Sequence, residues 1–171
     1  MFKLISKTIA AVAIVSVALF GSANAKTLKI ETHFTASSPN GEVAAQFAKN
    51  VEMFSGGSLK VEMFYSSSVT GKSAEVFNSA QTGIIDCDMT GAGYQTGKNA
   101  AFQFAGDVMG GYDNPYQQYE FLNYPGAQEA VDALYNKYGM TLIGWWIPGH
   151  ESLISSKPIP DVASIKDFKF R

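Results

Sequence analysis

From residue 26 onward the chain alternates between two hydrophobic rhythms. Residues 26–34 read as a first strand. Ser38-Pro39 then supplies a cap and a first helical position, and Val43, Ala44, Phe47, Ala48, Val51 and Phe54 recur on one face of the predicted helix. Gly56-Gly57 stops it. Leu59, Val61, Met63 and Tyr65 alternate with Lys60, Glu62 and Phe64, which is the period of a second strand. Residues 73–82 predict a second helix, and Gly83 ends it and opens a third strand over residues 84–89. The order βαβαβ is that of a largely parallel sheet.

The segment after the third strand, residues 90–98, is small and flexible and is centred on one aromatic, Tyr94. Ligands of open α/β sheets sit at the carboxyl ends of the strands. Tyr94 is therefore either a ligand contact or a loop aromatic folded back onto the core. Residues 101–112 read as loop or short helix. Asn114-Pro115 starts another helix, broken near Tyr124-Pro125, and Ala127, Ala130, Val131, Leu134 and Tyr138 form the stripe of the next, which Gly139 ends. Residues 140–146 predict a buried strand. The chain leaves that strand through Pro148-Gly149 and starts a second extended segment, in the manner of a crossing between two lobes.

Ahead of these elements, Lys3 and Lys7 precede an apolar stretch over residues 9–20, followed by Gly21-Ser22 and Ala23-Asn24-Ala25. This is the pattern of a secretory signal peptide, with an apolar core too short to span a bilayer as a helix and cleavage expected before Lys26. An uncleaved anchor is the other reading. No cysteine stands at the cleavage site for lipidation, so the exported product is expected to be free in the periplasm. Removal of residues 1–25 takes two lysines and no acidic residue, which leaves a surplus of four negative charges and no basic block. Nucleic acid is not an expected partner. The chain is 46% hydrophobic and 13% aromatic, enough to build one packed domain. Its single cysteine, Cys87, excludes an internal disulfide and reads as a small buried side chain in the third strand.

Most chemical motifs fail when tested. Residues 91–98 look like a phosphate loop, but Ala92 stands where a Walker motif needs its first glycine, and Gly71-Lys72-Ser73 has Ser66 at the required upstream position. No Gly-x-Ser-x-Gly elbow occurs. The two histidines, His33 and His150, lie far apart without a carboxylate at metal-ligand spacing, so neither a zinc site nor a serine hydrolase is indicated. His33 reads as a strand-end polar residue or a ligand contact. Arg171 closes the run Lys166-Asp167-Phe168-Lys169-Phe170-Arg171. Its planar guanidinium can grip a carboxylate bidentately, which makes it either an anion clamp or a solvated arginine.

The first strand, the Gly83-Ile84-Ile85-Asp86 signature, the tract from Gly144 through Trp145-Trp146 to His150-Glu151, and the ending at Arg171 come in an order that resembles one known family. The sequence looks like the amino-terminal half of a solute receptor of the tripartite ATP-independent periplasmic (TRAP) transporters, of the kind that binds 2-oxo acids and related carboxylates. The resemblance covers essentially all of residues 26–171. It implies an α/β, two-lobe periplasmic binding protein fold of type II-like architecture, with a first lobe over residues 26–148 and only the crossing strand and start of the second lobe over residues 149–171.

The resemblance also implies a site. The strand-end arginine of the last motif binds the substrate carboxylate in that family, and Arg171 matches it. The crossing tract lines the cleft and implicates Trp146 and Glu151, while the loop after the third strand implicates Tyr94 and the end of the first strand Phe34. No catalysis and no cofactor are implied. The partners would be a small-molecule carboxylate and the membrane permease subunits, with energy from an ion gradient. A cation bridging ligand and protein is compatible with the close kin, although the sequence shows no metal-ligand cluster. His150 is a departure, standing where related receptors often carry proline before the acidic residue. A receptor of an ATP-driven importer and a periplasmic ligand-sensing module share the general architecture and form the alternatives. An exported enzyme would need a nucleophile and base in one cleft, which two dispersed histidines do not supply.

Overall fold

The computed structural model describes residues 25–106, 108, 110–147, 154–166 and 168. Three strands, β1 (Lys26–Thr32), β2 (Leu59–Phe64) and β3 (Cys87–Met89), form a sheet in the order β2-β1-β3, and both pairings are parallel. Parallel neighbours need a crossover, supplied here by α1 (Pro39–Phe54) between β1 and β2 and by α2 (Val76–Gln81) between β2 and β3. The expected α/β fold with a parallel sheet is thus what forms. Two further helices, α3 (Pro115–Asn123) and α4 (Pro125–Asn136), follow. No helix among the described residues is long and apolar enough to cross a membrane.

The start of α1 shows how local chemistry fixes the first crossover. The Ser38 hydroxyl donates to the Thr35 carbonyl at 2.8 Å and accepts from the Gly41 N–H at 3.1 Å, so one side chain closes the turn and satisfies a first-turn donor. Pro39, without an N–H, occupies the first helical position at no cost. Gly41 is required because a Cβ there would lie 2.0 Å from the Thr35 carbonyl oxygen. Ser38→Ala is expected to destabilise the chain by about 1 kcal/mol. Chemical denaturation of the parent and variant checks this, with Ser38→Thr, whose hydroxyl can make the same contacts, recovering most of the loss.

The main apolar cluster is Phe77, Ala92, Phe102, Ala105, Val131 and Leu134, with Tyr135, Tyr138, Met140, Leu142 and Trp145 packed against it. The rings of Phe77, Phe102, Tyr135 and Tyr138 meet mostly edge to face at centroid distances of 5.2–6.0 Å, the arrangement that the ring quadrupole favours. Residues of α2, the short 3-10 turns Ala92–Gln95 and Ala100–Ala105, and α4 therefore converge on one core. Tyr124 adopts an extended conformation between α3 and α4, as expected before Pro125.

Four expectations need correction. In α1 the stripe is Ala44, Phe47, Ala48 and Val51, while Val43 and Phe54 are exposed, because the sheet covers a narrower arc of the helix than the apolar residues span. The predicted helix over residues 73–82 divides into a 3-10 turn, Ser73–Glu75, and α2. The third strand begins only at Cys87, because the Asp86 carboxylate takes the Lys29 N–H at 2.8 Å and replaces a ladder bond with a side-chain one. Residues 140–146 join no ladder among the described residues. Met140 and Leu142 turn toward the core and Thr141 and Ile143 toward solvent, so the segment is held by side-chain packing and, at its start, by the Met140 N–H on the Tyr135 carbonyl at 3.2 Å.

Candidate functional site

At the carboxyl end of β1, the backbone runs straight into an aromatic group gathered from three distant parts of the sequence. The Phe34 ring stacks on Trp146 with centroids 4.4 Å apart and planes 15° from parallel. His33 lies against Phe34 at 3.8 Å and meets Tyr94 edge-on at 5.4 Å. Tyr94 sits in the 3-10 turn Ala92–Gln95 that follows β3, and Trp146 in the segment past α4. The group therefore stands where open parallel sheets place their ligands, and its ring faces suit a planar or apolar skeleton.

The strand ends are held by a buried polar floor. Ser66 and Ser67 have positive φ of 58° and 51°, which ends the β2 ladder and turns the chain back over β1. Their N–H groups bond the Phe34 and Thr32 carbonyls at 2.9 and 3.1 Å. Glu31, fully buried in the central strand, accepts the Val69 N–H at 2.7 Å and the Thr70 N–H at 3.3 Å through Oε1. This side chain therefore straps the turn after β2 to the end of β1. Its other oxygen, Oε2, has no partner among the described residues.

Next to Glu31 in the parallel register stands Asp88. Burial pushes its carboxyl up to about 6, against the pull of hydrogen bonds from Thr90, and the neighbouring Glu31 adds to the rise. Tyr135 on α4 is pushed up to about 12 by burial and then by the charge of Asp88. Burial also raises the Cys87 thiol, with Asp86 and Asp88 adding to the shift, so Cys87 behaves as a half-buried small residue and not as a nucleophile. His33 moves the other way: burial lowers its pKa and keeps the imidazole neutral near pH 7. No group of three or more His, Cys, Asp or Glu able to hold a metal occurs among the described residues.

Of the five site residues expected from sequence, the structure brings Phe34, Tyr94 and Trp146 together around His33. Tyr94 is 47% exposed, edge-on to His33, and does not belong to the main core cluster. Glu151 and Arg171 lie outside the described residues, as do the predicted signal peptide and the Pro148-Gly149 crossing. Glu31 and Asp88 were not singled out by sequence reasoning. For Glu31 the available signal was an acidic residue within a strand of a parallel sheet, where both faces are covered.

Comparison with known proteins bears on this arrangement. Residues 30–171 match the family described as bacterial extracellular solute-binding protein, family 7. Among solved structures, a TRAP periplasmic solute-binding protein from Rhodobacter sphaeroides, in an apo open form, is similar at 26% identity and a TM-score of 0.64, covering 69% of this chain and 37% of that one. A TRAP transporter solute-binding protein from Bordetella bronchiseptica, with calcium and picolinate bound in one of its sites, is similar at 22% identity and a TM-score of 0.60, covering 67% of this chain and 34% of that one. An extracytoplasmic solute receptor of Bordetella pertussis that binds pyroglutamic acid shows 21% identity and a TM-score of 0.58, covering 69% of this chain and 38% of that one. The chain spans little more than a third of the length of these structures.

Proposed function

Because the chain belongs to the bacterial extracellular solute-binding protein family 7, we propose that it is the receptor part of a TRAP transporter, capturing a small organic acid in the periplasm and delivering it to a membrane permease driven by an ion gradient. The observation that carries this reading is the aromatic group of Phe34, Tyr94 and Trp146, assembled from three separate segments at the strand ends. Core aromatics pack beneath a sheet. These three stand at its carboxyl edge, with Tyr94 open to solvent on one side.

In this mechanism Arg171 neutralises and orients the carboxylate, and the aromatic faces pack on the carbon skeleton. Glu151 contributes a polar contact from the crossing tract. Closure of a second lobe excludes water, and the closed form is what the permease recognises. The chain itself performs no catalysis. Picolinate and pyroglutamic acid, the ligands of two similar structures, are both ring-bearing carboxylates, which agrees with an aromatic slot served by one arginine.

Thermal unfolding of the full chain, including any residues encoded beyond Arg171, tests the reading against 2-oxo acids, dicarboxylates, pyroglutamate, picolinate, sialic acid and sugars. A ligand present at a hundredfold excess over its Kd stabilises the native state by about 2.7 kcal/mol and raises the midpoint accordingly. A shift with one carboxylate, weakened tenfold or more in apparent affinity by Arg171→Ala, is the expected result. No shift with any acid, or a shift indifferent to Arg171→Ala, would remove the arginine clamp and favour an importer receptor or a sensor.

A further inference from the structure

The most informative atom at the site is one that makes no bond. His33 Nδ1 is shielded from solvent and has no hydrogen-bond partner among the described residues. Buried polar atoms in native proteins are paired in the great majority of cases, because leaving one unpaired costs its full desolvation. A histidine serving only the core would have its Nδ1 tied to a carbonyl or hydroxyl nearby. His33 instead has the Phe34 ring against it at 3.8 Å and meets Tyr94 edge to face at 5.4 Å.

The chemistry of the ring narrows what it can receive. Desolvation is the cause of its lowered pKa, with no charged neighbour contributing, and the neutral imidazole has one donor nitrogen and one acceptor nitrogen. A neutral ring gives little to a carboxylate that a guanidinium can hold bidentately. What it can pair with is an uncharged hydrogen-bonding group. The two neighbouring rings differ in how firmly they are held. Tyr94, at 47% exposure, is the one free to turn aside, whereas Phe34 is pinned by its stack on Trp146.

We propose that His33 is the specificity-determining residue of this site, reading an uncharged oxo, hydroxyl or ring-nitrogen group carried by the acid. The proposal rests on the receptor reading above and names its substrate class: carboxylates with a second, neutral polar group, in preference to plain aliphatic or aromatic acids of the same shape. Arg171 then supplies charge and His33 supplies discrimination. Such sites reject an analogue that lacks the hydrogen-bonding group because a buried polar atom is left unpaired, whereas they barely distinguish a missing methylene.

The experiment measures affinities of the full chain for matched pairs: pyruvate against isobutyrate, pyroglutamate against cyclopentanecarboxylate, and picolinate against benzoate. The wild-type protein is expected to favour the polar member of at least one pair by tenfold or more. His33→Phe should abolish that preference while retaining the weaker binding of the apolar member, and His33→Asn, whose amide reaches the Nδ1 position, should restore part of it. A ratio unchanged in His33→Phe, with a polar acid still bound, would overturn the proposal and leave the receptor reading standing. Failure of every acid to bind the wild-type chain would overturn both. Because a merely structural histidine would lower both affinities together, the ratio separates the two roles.

Discussion

Phe102→Ala is expected to destabilise the chain by about 3–5 kcal/mol, the cost of truncating a fully buried aromatic and leaving a cavity. Phe102 has no exposed surface and is ringed by Phe77, Tyr135 and Tyr138 at 5.8, 5.2 and 5.5 Å. Three secondary-structure elements contribute those partners or rest on them, so they cannot close the void without shifting one another. Against a typical total of about 5–15 kcal/mol, the loss leaves the native state barely populated or unfolded. Phe104 provides the control. It lies two residues away on the same 3-10 turn but is 67% exposed, and Phe104→Ala should stay within about 0.5 kcal/mol of the parent. Urea unfolding of the three proteins checks both values, and a Phe102→Ala loss under about 1 kcal/mol would show that the cluster is not the core described above.

The difference between these two phenylalanines marks where sequence reasoning ends. Composition and spacing cannot tell Phe102 from Phe104, because a 3-10 turn has no extended periodicity to read, and the whole segment remained loop or short helix until its contacts were known. The parallel order of the first three strands was legible because each strand and helix carries its own period and its own stop, such as Ser38-Pro39 and Gly56-Gly57 around α1. Residues 140–146 were misread as a buried strand for the opposite reason. Their apolar run records packing against the core by Met140, Leu142 and Trp145, and a strand also requires a partner edge. At the site, Phe34, Tyr94 and Trp146 were named through family resemblance and strand-end position, and His33 only as one of two readings. Glu31 escaped notice because a carboxylate's value in a central strand depends on the turn it straps, Val69 and Thr70, which lie 38 and 39 residues away.

That polar floor carries the second large effect, a pH dependence with a definite sign. Asp88 has a folded pKa of about 6 against an ordinary 3.8, so the native state holds its proton more tightly than the unfolded chain does. Well below pH 3.8 both states are protonated and the contribution is fully present. Between pH 4 and 6 the unfolded chain ionises while the native carboxyl resists, and stability is lost progressively, reaching about 3 kcal/mol above pH 6 at about 1.4 kcal/mol for each tenfold change in proton affinity. Asp88→Asn removes the titration and keeps an oxygen for the Thr90 hydroxyl, which bonds Asp88 Oδ1 at 2.6 Å. The variant should therefore match the parent near pH 3 and exceed it by up to about 3 kcal/mol at pH 7. Comparing parent with variant at each pH cancels groups that titrate in both. Glu52 is one, held low chiefly by the Val61 N–H and acting in the opposite sense. Glu31→Gln should lower the Asp88 midpoint toward the ordinary range, because it removes the neighbouring negative charge in the same register. A parent and Asp88→Asn pair whose melting temperatures stay parallel from pH 4 to pH 7 would show that the Asp88 carboxyl is solvated and ionised throughout. In that case the cost of ionising Asp88 in the native state, and the stabilising effect of removing it, would not exist.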